Sequence, residues 1–387
     1  MARMKRQIQT ALFELLAIGL LVIQTALDWT QAAGQCWRRH PRACSALGYL
    51  FLTMAFCYNP AVGHWIGGFV MMSLPVAMLA GLAASVYLLR QRELLAGTVG
   101  LVWLVLTLPI GKRLFGYGNE FTANVPAPAL SVLSFNGECF GPTAATGLNE
   151  LRADIACFQE YSPNASLEKQ YPDRLTRLTR FAGNRQVGLA LFSRCPIVRQ
   201  YGRIWKRANA PQINGFLCAD VAYGRDTVRV VNVHLWSMGV RVEQTYQAGR
   251  SGQLSHVVAE LSDTFHRLKE GFDQRDEQIR EVEQYVAGSR YPVIICGDFN
   301  ETPFGYAYGK LRMRFRNAFE EAGEGFGFTL NRHPYCVRID QQFFSADWHV
   351  TSCRTLSGVT FSDHFPVMAQ YVLKKSLTQP PGMLAQR

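Results

Sequence analysis

Long uncharged apolar runs fill the first 127 residues of this 387-residue chain and then stop, which limits its architecture more than any other feature. Ile8 to Leu27 matches the roughly 20 residues that a bilayer span requires. Its polar residues Thr10, Glu14, Gln24 and Asp28 recur near helical spacing, the pattern of a helix packed on others or lying in the interface. Ala46 to Tyr58 is shorter and ends at Asn59-Pro60, Trp65 to Leu89 carries Pro75 as an expected kink, and Leu94 to Ile110 completes the set. A cleaved signal peptide does not explain so much apolar sequence, which leaves a buried helical core as the alternative. The expectation is an integral membrane protein whose residues 1–125 form an all-α transmembrane region of three or four hydrophobic helices in the lipid bilayer.

Charge follows the same division. The first 127 residues hold 10 Lys/Arg and four acids (Glu14, Asp28, Glu93, Glu120), and the remaining 260 hold 30 Lys/Arg and 25 Asp/Glu. More than half of the net +11 therefore flanks apolar segments, which weakens a nucleic-acid interpretation of the basic pI. With four spans the loop cations tie, five against five, and orientation is not decided. If Ile8 to Leu27 only lies on the surface, all eight cations from Arg3 to Arg92 share one side and the C-terminal domain is extracytoplasmic, the orientation adopted here. Seven cysteines in that domain point to the reducing side instead. No CxxC pair exists, so a structural zinc site has no support.

From Pro126 the pattern changes to short apolar runs that predict strands: Leu130 to Phe135, Ile155 to Phe158, Gly188 to Phe192, Thr227 to Leu235, Val293 to Cys296 and Pro366 to Leu373. A charged helical stretch, Gln244 to Val286, lies among them. The mixture predicts an α/β (α+β) domain over residues 126–375, followed by a disordered tail, 376–387, with Pro380-Pro381.

The polar residues that end these runs are the candidate site. Asn136 and Glu138 follow the first run and share a face if extended; Glu160 ends the second. Asn232 and His234 share a face by the same alternation, Asp298 and Asn300 follow Val293 to Cys296, and Asp363 and His364 precede the last strand. Carboxylates with two histidines and two asparagines suit a hard, oxygen-ligated cation together with acid/base chemistry.

In order along the chain, Ser134-Phe135-Asn136, Phe158-Gln159-Glu160, Asn232-Val233-His234-Leu235, Gly297-Asp298-Phe299-Asn300 with Pro303, Arg338-Ile339-Asp340 and Ser362-Asp363-His364-Phe365-Pro366 resemble the endonuclease/exonuclease/phosphatase superfamily, in its membrane-bound bacterial branch. The resemblance implies a four-layer DNase I-like sandwich, two packed β-sheets flanked by helices, and hydrolysis of a phosphoester. It also implies Mg2+, or Mn2+ in its place, on Glu160, Asn136 and Asp363 with Glu138 as an extra ligand. Asp298 with Asn300 would activate water, His364 held by Asp340 would contact the phosphate, and His234 would approach it from another side. Two departures stand out: Gln341-Gln342 follow Asp340 where an aromatic or His is usual, and Gly137 follows Asn136 in place of a β-branched residue.

These expectations describe a membrane-anchored phosphodiesterase or phosphatase acting on a phospholipid headgroup, an inositol phosphate or nucleic acid. A membrane-tethered nuclease is the alternative, and a non-enzymatic membrane assembly protein is the competitor of another class. Lys310, Arg312, Arg314 and Arg316 are read as a solvated basic surface that could attract phosphate, and Gly323, Gly325 and Gly327 as a turn.

Overall fold

The computed structural model describes residues 20–21, 24–60, 65–118, 128–139, 151–180, 185–206, 213–237, 250, 254–332 and 335–374. The chain divides into two compact units: Met1–Ala55 with Ser73–Leu108, and Phe56–Met72 with Pro109–Arg387.

In the first unit, residues 24–39 are helical and are followed after His40 by the helix Pro41–Tyr58; Leu74–Arg90 and Leu94–Gly111 come next. Small residues bring these helices close. A Cβ on Gly100 would strike Ser85 and Leu47, so only glycine fits there. Large apolar residues point outward instead: Val76, Leu79, Leu94 and Val105 are all at least 60% exposed. The kink expected at Pro75 is a break at Ser73 between two helices. Pro75 sits in the first turn of the second, where its missing N–H leaves no bond unmade.

Among the described residues one helix, Leu94–Gly111, is long and apolar enough to cross a membrane, with 22% of it buried. Trp65–Met72 and Leu74–Arg90 together would supply a second. Most of the stretch Ile8 to Leu27 lies outside the described residues, as does the tail 376–387.

Among the described residues the second unit contains fourteen strands: β1 (Gly116–Tyr117), β2 (Leu130–Asn136), β3 (Ile155–Tyr161), β4 (Asp173–Arg180), β5 (Gln186–Ser193), β6 (Ile197–Ile204), β7 (Gly215–Tyr223), β8 (Asp226–His234), β9 (Val293–Asp298), β10 (Arg316–Asn317), β11 (Glu324–Gly325), β12 (Asp340–Phe344), β13 (Trp348–Thr355) and β14 (Val367–Leu373). They form two six-stranded sheets, ordered β13-β14-β2-β3-β5-β4 and β10-β12-β9-β8-β7-β6, and a small β1-β11 pair. Most neighbours are antiparallel, but the central pairs β2-β3 and β8-β9 are parallel.

Alternation builds the layers. Leu130, Val132, Ile155 and Leu189 of one sheet meet Leu217, Val230 and Ile294 of the other in the inter-sheet core. The opposite phase of the second sheet (Val231, Val233, Ile295) packs on Ile279, Val282 and Val286 of the long helix Leu254–Ala287 and on the helix Tyr306–Arg312. Leu133, Phe135, Phe158 and Phe192 face outward from the first sheet onto Leu167 of the short helix Ala165–Glu168 and onto Tyr171. The result is the expected sandwich flanked by helices. Trp65–Met72 belongs to this unit: Phe69 stacks on Phe265 of the long helix, centroids 5.2 Å apart, with Gly68 lying against Phe272.

Candidate active site

Strand register assembles the site. His234 on β8 lies opposite Asp298 on β9, and Asp298 lies opposite Asp340 on β12, so three adjacent strands end in three polar groups at one level. In the facing sheet Asn136 shares the inward phase of Leu130 and Val132 and therefore meets that row. Its Nδ2 donates to Asp298 Oδ2 at 3.0 Å and to Glu160 Oε1 at 3.4 Å.

Asp298 is 1% exposed, and both of its oxygens are engaged. Oδ1 accepts the Asn300 N–H at 2.8 Å, and Oδ2 accepts the Asn136 amide and, at 3.2 Å, the Asn300 amide. The carboxylate is thereby fixed in rotation. His234 Nδ1 donates to the Ile213 carbonyl at 3.2 Å, a tautomer assigned from that partner, which turns Nε2 to within 3.6 Å of Asp298 Oδ2 and 3.9 Å of Glu160 Oε1.

His364 Nδ1 lies 2.8 Å from Asp340 Oδ2, and its Nε2 lies 3.8 Å from Asp298 Oδ2. Burial disfavours the charged imidazole, but the Asp340 and Asp298 carboxylates outweigh it and push His364 up to about 10. Burial raises Asp340 as well; the proton nevertheless belongs on His364, which has two carboxylates beside it. Thr329 holds the strand start, its hydroxyl accepting the N–H groups of Ile339 and Asp340. The Ser362 hydroxyl donates to the Asn136 carbonyl at 2.7 Å and accepts the His364 N–H at 3.1 Å, joining two site segments.

Glu138 and Asp363 form the rim. Glu138 Oε2 accepts the Asp363 N–H at 3.0 Å, while Asp363 Oδ2 pairs with Arg332 at 2.8 Å and leaves Oδ1 3.8 Å from His364 Nε2. Burial and the neighbouring Asp363 and Glu160 carboxylates raise Glu138 above the ordinary carboxylate range. Four non-glycine residues here, Glu138, Cys139, Glu160 and Asn300, have φ between 44° and 63°. Such backbone is costly and is retained where surrounding structure holds it.

The nine residues to which the family resemblance gives roles thus gather at one end of the two sheets, while Asn232 faces Gln159 between them. Sequence reasoning missed Arg332, Thr329 and the buried Arg275–Glu301 pair. Arg275 Nε lies 3.4 Å from Glu301 Oε2 and Nη1 donates to the Trp236 carbonyl, bracing the segments after His234 and Asn300. Each lies in a loop or mid-helix, where no spacing marks it.

The Gln341-Gln342 departure is accommodated. Gln342 Nε2 donates to the Val132 and Val367 carbonyls and its Oε1 accepts Tyr371 OH, tying the sheets together; Gln341 points to the other face. Gln159 and Asn232 make a second tie at 2.6 Å. The basic run is largely neutralised, Arg312 by Glu320 and Arg316 by Glu321.

Asp298, Asp340 and His364 offer ligand atoms that all lie within 4.8 Å of one another, close enough to hold a metal ion. Glu160, Asn136, Glu138 and Asp363 place further oxygens near them.

The sequence matches the endonuclease/exonuclease/phosphatase family over residues 133–364. Similar solved structures include an endonuclease/exonuclease/phosphatase from Beutenbergia cavernae (17% identity, 63% of this chain and 72% of that one, TM-score 0.46). The human Nocturnin catalytic domain with bound sulfate aligns at 15% identity over 64% and 94% of the two chains, with a TM-score of 0.45. Sphingomyelinase C from Streptomyces griseocarneus aligns at 17% over 63% and 99%, with a TM-score of 0.41. A comparison with curated proteins found no match. With the family's match spanning more than half of the chain and the sandwich in place, this protein belongs to the endonuclease/exonuclease/phosphatase family.

Proposed function

We propose that the protein is a membrane-anchored, Mg2+-dependent phosphoester hydrolase. The observation that carries the catalytic part is the row His234–Asp298–Asp340 with His364 above it: a fixed carboxylate flanked by two imidazoles, one of them cationic. Asp298, held by Asn136 and Asn300, takes a proton from the attacking water. His364, kept protonated by Asp340, draws a phosphate oxygen into place and offsets charge that develops on it. His234 presents Nε2 to the phosphate from the other side.

The donor set fits a hard cation. Glu160 is a quarter exposed, and Glu138 is raised by burial and then by the neighbouring Asp363 and Glu160 carboxylates. Asp298 is held by Asn136 and Asn300, and Asp340 Oδ2 by His364, whereas Glu160 is open to solvent; we therefore place the ion on Glu160 with Asn136, with Asp363 and Glu138 at its edge. Bound there, Mg2+ would supply Lewis-acid stabilisation of the phosphate charge.

Anchoring rests on Leu94–Gly111 and on the large apolar side chains Val76, Leu79 and Val105 that these helices leave exposed. It favours a substrate at the bilayer, a phospholipid headgroup, over an inositol phosphate or nucleic acid, and the pairing of Arg312 and Arg316 removes the obvious nucleic-acid contact surface. With Ile8 to Leu27 on the surface, the loop charges favour the extracytoplasmic side for the catalytic unit. The test is release of phosphate or alcohol by the full-length protein in detergent from phospholipids, inositol phosphates, DNA and RNA, with Mg2+ or EDTA. Turnover that survives EDTA, or that survives both Asp298→Asn and His364→Ala, would refute the proposal.

A further inference from the structure

The helices of the first unit flank an open cleft of about 650 Å³ between the start of Pro41–Tyr58 and the end of Leu74–Arg90. Arg39, His40, Arg42 and Tyr87 line it with Ala46 and Ala83. Its polar wall is organised. Arg39 is held by Glu93 at 2.6 Å and by Gln35 at 3.3 Å, and His40 Nδ1 lies 3.2 Å from Tyr87 OH. Arg42 is exposed and has no ion pair among the described residues. Arg38, Arg90 and Arg92 add charge at the same helix ends, where Glu93 is the one acid against five arginines. The other wall is the apolar Ala43, Ala46, Ala83 and Ala84, and the helix Leu74–Arg90 that carries the last two also exposes Leu82 and Val86.

We infer that this cleft binds the headgroup phosphate of an anionic phospholipid, an inference that rests on the membrane-anchor reading. Cationic pockets between apolar helices recognise such headgroups because the arginines meet the phosphate while the helix flanks meet the acyl chains. A free phosphate offers the same anion but has nothing for the alanine wall and for Leu82 and Val86. The cleft is built from residues outside the hydrolytic site, so its occupant is a resident lipid that seats the helices in the bilayer, independent of turnover.

The experiment is a calorimetric titration of the full-length protein in detergent micelles, in EDTA to silence hydrolysis. The probes are dihexanoyl phosphatidylglycerol, dihexanoyl phosphatidylcholine and inorganic phosphate. The expected result is binding of phosphatidylglycerol in preference to phosphatidylcholine, weakened about fivefold by Arg42→Gln and further by the Arg39→Gln/Arg42→Gln pair. Arg199→Gln, on an exposed strand, should change nothing. Equal binding of the two lipids, or affinity indifferent to Arg42, would overturn the assignment. So would inorganic phosphate binding as tightly as phosphatidylglycerol, since that makes the ligand a free anion. Extraction of membranes with alkaline carbonate tests the anchor separately: release of the protein would sink the anchor reading and leave the micelle titration interpretable.

Discussion

Asp340 Oδ2 and His364 Nδ1 lie 2.8 Å apart with both side chains buried. The contact fixes the imidazole plane and directs Nε2 at the side of the site where Asp298 stands, 3.8 Å away. Asp340→Asn keeps the shape and removes the charge, so His364 loses the partner that holds its proton. Turnover should fall about 10- to 100-fold, the usual cost of losing a carboxylate that orients a histidine. His364→Ala should cost more, about 10²- to 10⁴-fold. Initial rates of phosphate or alcohol release, with circular dichroism to show an intact fold, check both. An Asp340→Asn enzyme at full rate would mean the pair is only structural.

The six apolar runs that the sequence marked as strands are all present, because each is a dense, mostly buried apolar run that is recognisable without its partner. Of the strands it missed, β4 and β6 are arginine-rich sheet edges and β12 begins on the polar Asp340-Gln341-Gln342, whereas β7 is as buried as those recognised and its apolar run is interrupted by Asp220. Site residues were legible wherever alternation set a polar group at a strand end, as with Asn136 and His234. The parallel pairing of β8 and β9, which aligns His234 with Asp298, was not legible, since register comes from contacts distant in sequence. Arg332, on a loop, acquires meaning only from Asp363 beside it.

Metal binding can be separated from catalysis. If Glu160 is the main ligand, millimolar Mg2+ should raise the melting temperature of the native protein, because a ligand at about 100 times its Kd adds roughly 2.7 kcal/mol of stability. Glu160→Gln should lose that shift and need far more Mg2+ for any turnover, whereas Asp298→Asn should keep the shift and lose turnover. A Glu160→Gln protein that melts like the native one with and without Mg2+ would move the ion to Asp298, Asp340 and His364.

The residues just before the β-sandwich should matter for its stability. Arg113 donates to the carbonyls of Pro303 and Cys57, lies 3.8 Å from Glu320, and accepts a hydrogen bond from the buried Arg338 through its own carbonyl. Gly116 and Tyr117 pair with Gly325 and Glu324. A chain of residues 126–387 loses all of these and leaves Arg338 short of an acceptor, whereas 109–387 retains all but the Cys57 contact. The shorter chain should unfold at lower urea concentration, by about 1–3 kcal/mol for the buried partners left unmade. Coincident unfolding curves would show that Arg113 contributes nothing.

Gly297 should be intolerant of any side chain for a reason tied to the site. It lies opposite Val233 in the parallel β8-β9 pair with φ at 149°, and a Cβ there would run into the Val233 carbonyl. His234 and Asp298 are the next residues on the two strands, so a shift that relieves the clash separates them. Gly297→Ala should therefore destabilise the fold by more than about 1 kcal/mol and also lower turnover. Gly224, in the β7-β8 turn at φ 62° with open space around its Cα, isolates the backbone contribution. Gly224→Ala should cost about 1 kcal/mol from its left-handed conformation and leave turnover unchanged. Urea midpoints and initial rates for the two variants decide the matter: equal behaviour would mean that strain, and not the approach of β8 to β9, is what Gly297 serves.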